Sequence, residues 1–249
     1  MAMIEEEQKQ EHIPKISVII PVYNHAGALR QSLDSLRKQS FRDFEVIVID
    51  DGSQDGLDYV IHDFDDSLTL RVFRQENKGA PSARNRGFEL STGEYVIFWD
   101  ADIVGVPDML QKMMKKMEED VHADFVYCNF YLGKKIMKAR PFDLETLKKV
   151  NYIHSTTLIR RESVIRWDEA LRRFQDWDYW LCLAEQGKKG IWIDEELMTI
   201  IAEGTMSHWL PKFAYNKPWK YFPLFKEKVN KYERAKEIIY RKHGFINEK

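Results

Sequence analysis

Four short polar clusters in the chain combine residue types that can hold phosphate or a cation and move a proton. They are Pro21-Val22-Tyr23-Asn24, Asp50-Asp51-Gly52-Ser53, Asp100-Ala101-Asp102 and Gln175-Asp176-Trp177-Asp178. Each alone also reads as a turn or helix cap, because Asp, Asn, Gly and Pro dominate both. The spaced aspartate pair occurs three times, at Asp63/Asp65, Asp100/Asp102 and Asp176/Asp178, so spacing by itself decides nothing. Context separates them. Asp63 and Asp65 end a polar helical stretch, whereas Asp100 and Asp102 close the apolar run Tyr95-Val96-Ile97-Phe98-Trp99. Carboxylates at the mouth of a buried strand suit a hard divalent cation that keeps several waters and bridges phosphates.

The elements that must position these clusters are legible in the first half. Ile16–Ile20 and Phe44–Ile49 are apolar and mostly β-branched, like strands buried on both faces. Leu29, Leu33 and Leu36 recur at helical spacing between them. Leu57, Val60, Ile61 and Phe64 form a second helical stripe, and Leu70–Phe73 a third strand. A helix follows over residues 81–90, with Pro81 in its favoured first turn. Tyr95–Trp99 is a fourth strand, and Pro107 opens a methionine-rich helix running to Met117. Strand–helix alternation of this kind predicts an α/β fold, a mainly parallel sheet with helices on both faces. Ligands of such sheets bind beyond the carboxyl ends of the strands, where the first three clusters fall. The second half is less regular: a strand over Phe125–Tyr131, a helix over Asp176–Gln186 ended by Gly187, and a short strand at Ile191–Ile193.

Composition narrows the function classes. The 249 residues are 44% hydrophobic and 13% aromatic, enough for a sizeable core. The net charge of −2 argues against a nucleic-acid partner. Its distribution is uneven, since Lys212 to Lys249 carries 11 basic and 4 acidic residues and the remainder 27 against 36. Two cysteines are too few for a disulfide framework or a cysteine zinc site. No apolar run approaches the roughly 20 residues of a membrane span, and the N-terminus lacks a signal-peptide pattern. The expected location is cytoplasmic, either soluble or peripheral at the inner face of the membrane through the basic tail. The expected organisation is a disordered lead over 1–14, one catalytic domain over 15–207 and a basic, aromatic C-terminal extension over 208–249.

The order PVYN, DDGS, NKGAPSARNRG, a strand ending in DAD, then QDWDYWL resembles the family 2 glycosyltransferases with the GT-A (Rossmann-like) fold, over Lys15 to Gly204. The resemblance implies inverting transfer of a sugar from a nucleoside diphosphate sugar, a UDP-sugar, to a hydroxyl of a glycan or lipid-linked acceptor, as in bacterial surface polysaccharide or glycolipid synthesis. It implies that Pro21, Val22 and Tyr23 line the nucleotide pocket and that Asp51 accepts a hydrogen bond from the base. Asp51, acceptor-only when ionised, suits the imide N–H of uracil or thymine. It further implies that Arg84 balances phosphate charge, that Asp102 binds Mn2+ or Mg2+, and that Asp100 reaches the ribose or a metal water. A fixed cation beside a departing diphosphate meets the charge that grows there.

Inverting transfer also needs a general base for the acceptor hydroxyl, and the resemblance gives that role to Asp176. The other reading of this cluster has Asp176 capping the helix and Asp178 complementing its dipole. Two positions depart from the family pattern: Gln175 stands where a glutamate is frequent, and Ala202 aligns with a histidine that binds metal or phosphate, with His208 displaced from it. These losses keep a catalytically impaired sugar-nucleotide binding protein as the alternative. A phosphatase of the haloacid-dehalogenase type is disfavoured, because its nucleophile and acid lie two residues apart, whereas Asp50 and Asp51 are adjacent. In the tail, Phe225, Val229, Tyr232, Ala235 and Ile239 share a helical stripe. That stripe is expected either to pack on the body or a second copy in a homodimer, or to lie at an anionic membrane surface.

Overall fold

The computed structural model describes residues 12–64, 67–201 and 223–245. Residues 1–11 of the lead, Asp65, Ala202, His208, the boundary at residue 207 and the tail aromatics from Trp209 to Phe222 lie outside the described residues.

Strand β1 (Ile16–Val22) and β2 (Phe44–Asp50) are buried at every position. Continuous β-branched runs of this kind form where helices cover both faces of a sheet. β1 pairs in parallel with β2 and with β4 (Tyr95–Phe98), and β2 with β3 (Leu70–Arg74). The connecting helices are α1 (Ala26–Arg37), α2 (Leu57–His62) and α3 (Ala80–Leu90). On β1, Ile16, Val18, Ile20 and Val22 pack into one core with Leu29, Leu33 and Leu36 of α1. Ile19 points to the other side and joins a second core, as the two-residue period of a strand requires.

The rest of the chain completes a sheet ordered β3-β2-β1-β4-β8-β6-β9-β5, with β7 paired to β6. After β4 come β5 (Ile103–Gly105), α4 (Met109–Glu119), β6 (Phe125–Leu132), β7 (Lys135–Met137) and α5 (Leu144–Leu147). They are followed by β8 (Leu158–Arg160), α6 (Gln175–Glu185), β9 (Gly190–Ile200) and α7 (Pro223–Lys242). The parallel expectation holds from β3 to β4; beyond it β8 runs antiparallel to both β4 and β6, so the sheet is mixed. β9 is parallel to β6 through a register shift at Cys128–Phe130, which lets a strand expected to stop at Ile193 continue past Asp194, Glu195 and Glu196.

The second core is aromatic. Phe98, Phe125, Tyr127, Trp167, Trp177, Tyr179 and Trp180 are all buried there. α7 joins it: Val229 and Ile239 are buried, Tyr232 meets Phe174 edge-on at 5.1 Å, and Tyr240 meets Trp177 at 5.8 Å. Tyr232 and Ile239 of the tail stripe therefore pack on the body, Tyr232 at the start of α6. Among the described residues no helix is long and apolar enough to cross a membrane.

Candidate active site

Parallel pairing delivers three of the four clusters to one edge. Val22 stands beside Asp50 and Ile19 beside Phe98, so β1, β2 and β4 end together. The ladder runs one residue further on each side, through Asp51 N–H to Val22 C=O at 2.8 Å and Trp99 N–H to Ile19 C=O at 2.8 Å. Pro21 and Val22 are buried within β1, whereas Tyr23 is 48% exposed and offers its ring at the edge. Asn24 follows in the left-handed region at φ 51°. Its side chain accepts from Gln54 N–H, and its own N–H donates to Ser53 Oγ, so the first two clusters brace each other.

Asp51 organises a loop. Its carboxylate accepts from Gln75 Nε2 at 2.8 Å, Lys78 N–H at 2.9 Å and Gly79 N–H at 2.8 Å. Gly79, at φ 93°, then opens α3. Three of the roughly four acceptor positions of a carboxylate are thus filled, and one remains. Neighbouring Asp50 accepts from Ser53 N–H and Arg74 Nε. Burial pushes Asp50 up, but these partners outweigh it and hold the group below the usual carboxylate range.

The turn after β4 is anchored from below by Trp99, whose indole N–H reaches Ser32 Oγ at 2.8 Å. Above it, Asp100 accepts from Arg84 Nη2 at 2.5 Å on one oxygen and from Ser155 Oγ at 2.7 Å on the other. Burial raises its pKa, while Arg84, His154 and Ser155 together bring it below the normal range. Arg84 is itself buried, stacked 4.5 Å from the Trp167 ring centre, and among the described residues its Nε has no partner. Its charge is committed to Asp100, so it bears on the site through that carboxylate. The next residue, Asn85, fixes Trp167 by accepting from its N–H and donating to its C=O. The NKGAPSARNRG segment thereby ties the DAD turn to the second half of the chain.

Asp102 differs from Asp100. Its backbone C=O accepts from Ile201 N–H at 2.9 Å, at the end of β9, but among the described residues no side-chain donor reaches its carboxylate. Burial and the charge of Asp100 push it up to about 6. An oxygen-only pair with one member held short of a partner is a donor set suited to Mg2+ or Mn2+.

Asp176 is the second residue of α6, and the N-cap is Phe174, at φ 57°. Its Oδ1 accepts from the N–H of adjacent Trp177 and its Oδ2 from Asn151 Nδ2 at 2.7 Å. Burial raises its pKa against the pull of His154 and Arg84. Gln175 turns away to donate to Leu171 C=O. Asn24 and Phe174 are the two non-glycine residues with positive φ among the described residues. Both adjoin site clusters, where strain of this kind concentrates.

Residues 151–155 were invisible to sequence reasoning, yet Asn151 holds Asp176, Ser155 holds Asp100, and His154 lies between. The signal was β8. Because β8 is antiparallel to β4, with Leu158 beside Ile97, the residues just before it arrive at the carboxyl edge of β4.

The family model described as glycosyl transferase family 2 matches residues 17–168. The chain belongs to that family. It is 28% identical to an uncharacterized glycosyltransferase of Haemophilus influenzae, over 96% of this chain and 99% of the relative. Among solved structures it is similar to residues 1–349 of S. aureus TarS in complex with UDP-GlcNAc, with TM-score 0.68 and 23% identity over 79% of this chain and 62% of that one. It is also similar to the mannosyltransferase PcManGT of Pyrobaculum calidifontis in complex with GDP-Man and Mn2+, with TM-score 0.62 and 22% identity over 79% of this chain and 59% of that one. These likenesses carry the GT-A fold.

The family match ends eight residues short of Asp176. In this glycosyltransferase a second cluster of ligand-bearing groups, Asp178, Cys182 and His243, lies on the far side of α6, with ligand atoms within 4.8 Å of one another. Groups of the chain already meet one another there: His243 contacts Asp178 at 2.9 Å and neighbouring Glu185 at 2.8 Å, and Lys242 lies 2.8 Å from Asp178. That arrangement clamps the end of α7 to α6.

Proposed function

We propose that the protein transfers a sugar, with inversion, from a nucleoside diphosphate sugar to the hydroxyl of a glycan or lipid-linked acceptor. A UDP-sugar is the favoured donor. The observation that carries this reading is the convergence of Asp100 and Asp176, from distant parts of the chain, on the single segment Asn151–Ser155, with Asp102 two residues from Asp100 and raised by its charge. TarS and PcManGT, complexed with UDP-GlcNAc and with GDP-Man and Mn2+, support a nucleotide-sugar donor.

In this reading Tyr23 and the remaining acceptor position of Asp51 meet the nucleotide. Asp102, with Asp100, holds Mn2+ or Mg2+. The cation, when bound, supplies positive charge for the departing diphosphate. Asp176 takes the acceptor's proton at a carboxylate oxygen as that hydroxyl attacks the anomeric carbon. Its raised pKa makes it a stronger base than an exposed aspartate, and Asn151 fixes its plane. Arg84 and Ser155 keep Asp100 ionised and oriented.

Because Gln175 supplies no second carboxylate beside Asp176, the competing reading is a sugar-nucleotide binding protein with impaired turnover. A thermal-shift panel of nucleotide sugars with Mn2+, followed by an assay for released nucleoside diphosphate, tests both. One donor should raise the melting temperature by mass action and be consumed. Binding without diphosphate release favours the impaired protein, and no stabilisation by any donor contradicts both readings.

A further inference from the structure

The imidazole of His154 is fixed from several sides. Its Nδ1 accepts the N–H of Thr156 at 3.0 Å, its carbonyl accepts Thr157 Oγ1 at 2.7 Å, and its ring lies 5.0 Å from that of Phe130. A ring whose Nδ1 accepts carries its proton on Nε2, so Nε2 is a donor only. Nε2 stands 4.0 Å from Asp100 Oδ2, with the side chain 16% exposed. That separation is too long for a hydrogen bond. Both Asp100 oxygens already have donors in Arg84 and Ser155, and among the described residues Nε2–H has no acceptor. Asp176 and Arg84 are the other charged groups acting on the ring.

A donor-only group held between the cation-side and base-side carboxylates is placed to meet an acceptor that arrives with the substrate. We infer that His154 donates its Nε2–H to the terminal phosphate of the departing nucleoside diphosphate, which makes it a leaving-group-binding residue. This rests on the reading under Proposed function. In the step itself, the acceptor oxygen forms a bond to the anomeric carbon while the carbon–phosphate oxygen bond breaks. The electron pair of that bond goes to the diphosphate, and the acceptor proton goes to Asp176. His154 keeps its proton throughout and stabilises the new charge by a hydrogen bond.

The test is calorimetric titration, with Mn2+, of UDP, GDP and TDP and their matched monophosphates. The proteins are wild type, His154→Phe, which keeps a ring but no donor, and His154→Gln, which returns an N–H near the Nε2 position. Should His154→Phe fail to fold, His154→Asn takes its place, since its amide oxygen can still accept from Thr156 while its N–H falls short of Nε2. The nucleoside diphosphate that wild type holds should lose about tenfold or more in affinity on removal of the donor. The monophosphate should be unaffected, and His154→Gln should recover most of the loss. Equal weakening of both nucleotides, or no weakening of either, overturns the inference. A wild type that holds no nucleoside diphosphate refutes the proposed function first, and the two failures are thereby distinct.

Discussion

Replacing Asp102 by Asn should stabilise the metal-free protein while destroying its response to a cation. Asp102 is an acid whose folded pKa, about 6, lies above the ordinary aspartate value of 3.8. The unfolded chain therefore releases this proton more readily, and the ionised folded form is penalised. The sign follows: the penalty is absent below about pH 4, grows as pH rises, and is complete above about pH 6. Roughly two pKa units correspond to a ceiling of about 3 kcal/mol. Residual solvent contact at the site discounts that to about 1–2 kcal/mol. The Asp102→Asn protein in a chelator at neutral pH should thus melt a few degrees higher than wild type, and about a third of the gain should remain near pH 4.5. With Mn2+ and nucleoside diphosphate the order should reverse, because ligand binding lifts only wild type. Scanning calorimetry at both pH values, with and without metal, reads all four conditions. Asp63→Ala, at an exposed pair with Arg30, is the control whose metal response should be unchanged. An Asp102→Asn protein that melts at or below wild type in chelator at neutral pH refutes the reasoning.

Gly87→Ala tests the packing of α3 on the sheet. A Cβ there would stand 2.3 Å from Ile19 Cγ2 and 3.3 Å from Ile49 Cγ1. Overpacking should cost about 1–3 kcal/mol in denaturant unfolding, where helix propensity alone predicts a gain. His243→Ala tests the α7 clamp. Burial lowers the imidazole pKa, but Asp178 and Glu185 raise it above normal. The stability it contributes is therefore full below about pH 6.5 and lost as pH rises through the folded value. The variant should lose more melting temperature near about pH 6 than near about pH 9, and a pH-independent loss contradicts the charge assignment.

How far the sequence could be read follows from strand length and burial. β1, β2 and β4 carry apolar runs broken only by Ser17 and Glu45, so their ends, and hence Asp51, Asp100 and Asp102, could be placed beforehand. β8 has three residues, too few to show a period, and with it the neighbourhood of Asn151, His154 and Ser155 was lost. β9 hides its length because a register shift opposite Asn129 admits three consecutive acidic residues into a strand. Arg84 was recognisable as important, but its burial under Trp167 and its commitment to Asp100 depend on residues far along the chain. The amphipathic stripe of α7 was legible, whereas its docking against Phe174 and Trp177 is a tertiary fact that periodicity does not contain.

The most direct test of the central claim is Asp176→Asn. With the donor identified by thermal shift, the affinity for that donor and the rate of diphosphate release are measured on wild type and variant under the same metal conditions. A residue that accepts the attacking proton should, when neutralised, lower the rate by about a hundred- to ten-thousandfold and leave donor affinity within about twofold. A rate within a few-fold of wild type, or a rate and affinity that fall together, contradicts the assignment of Asp176 as the base.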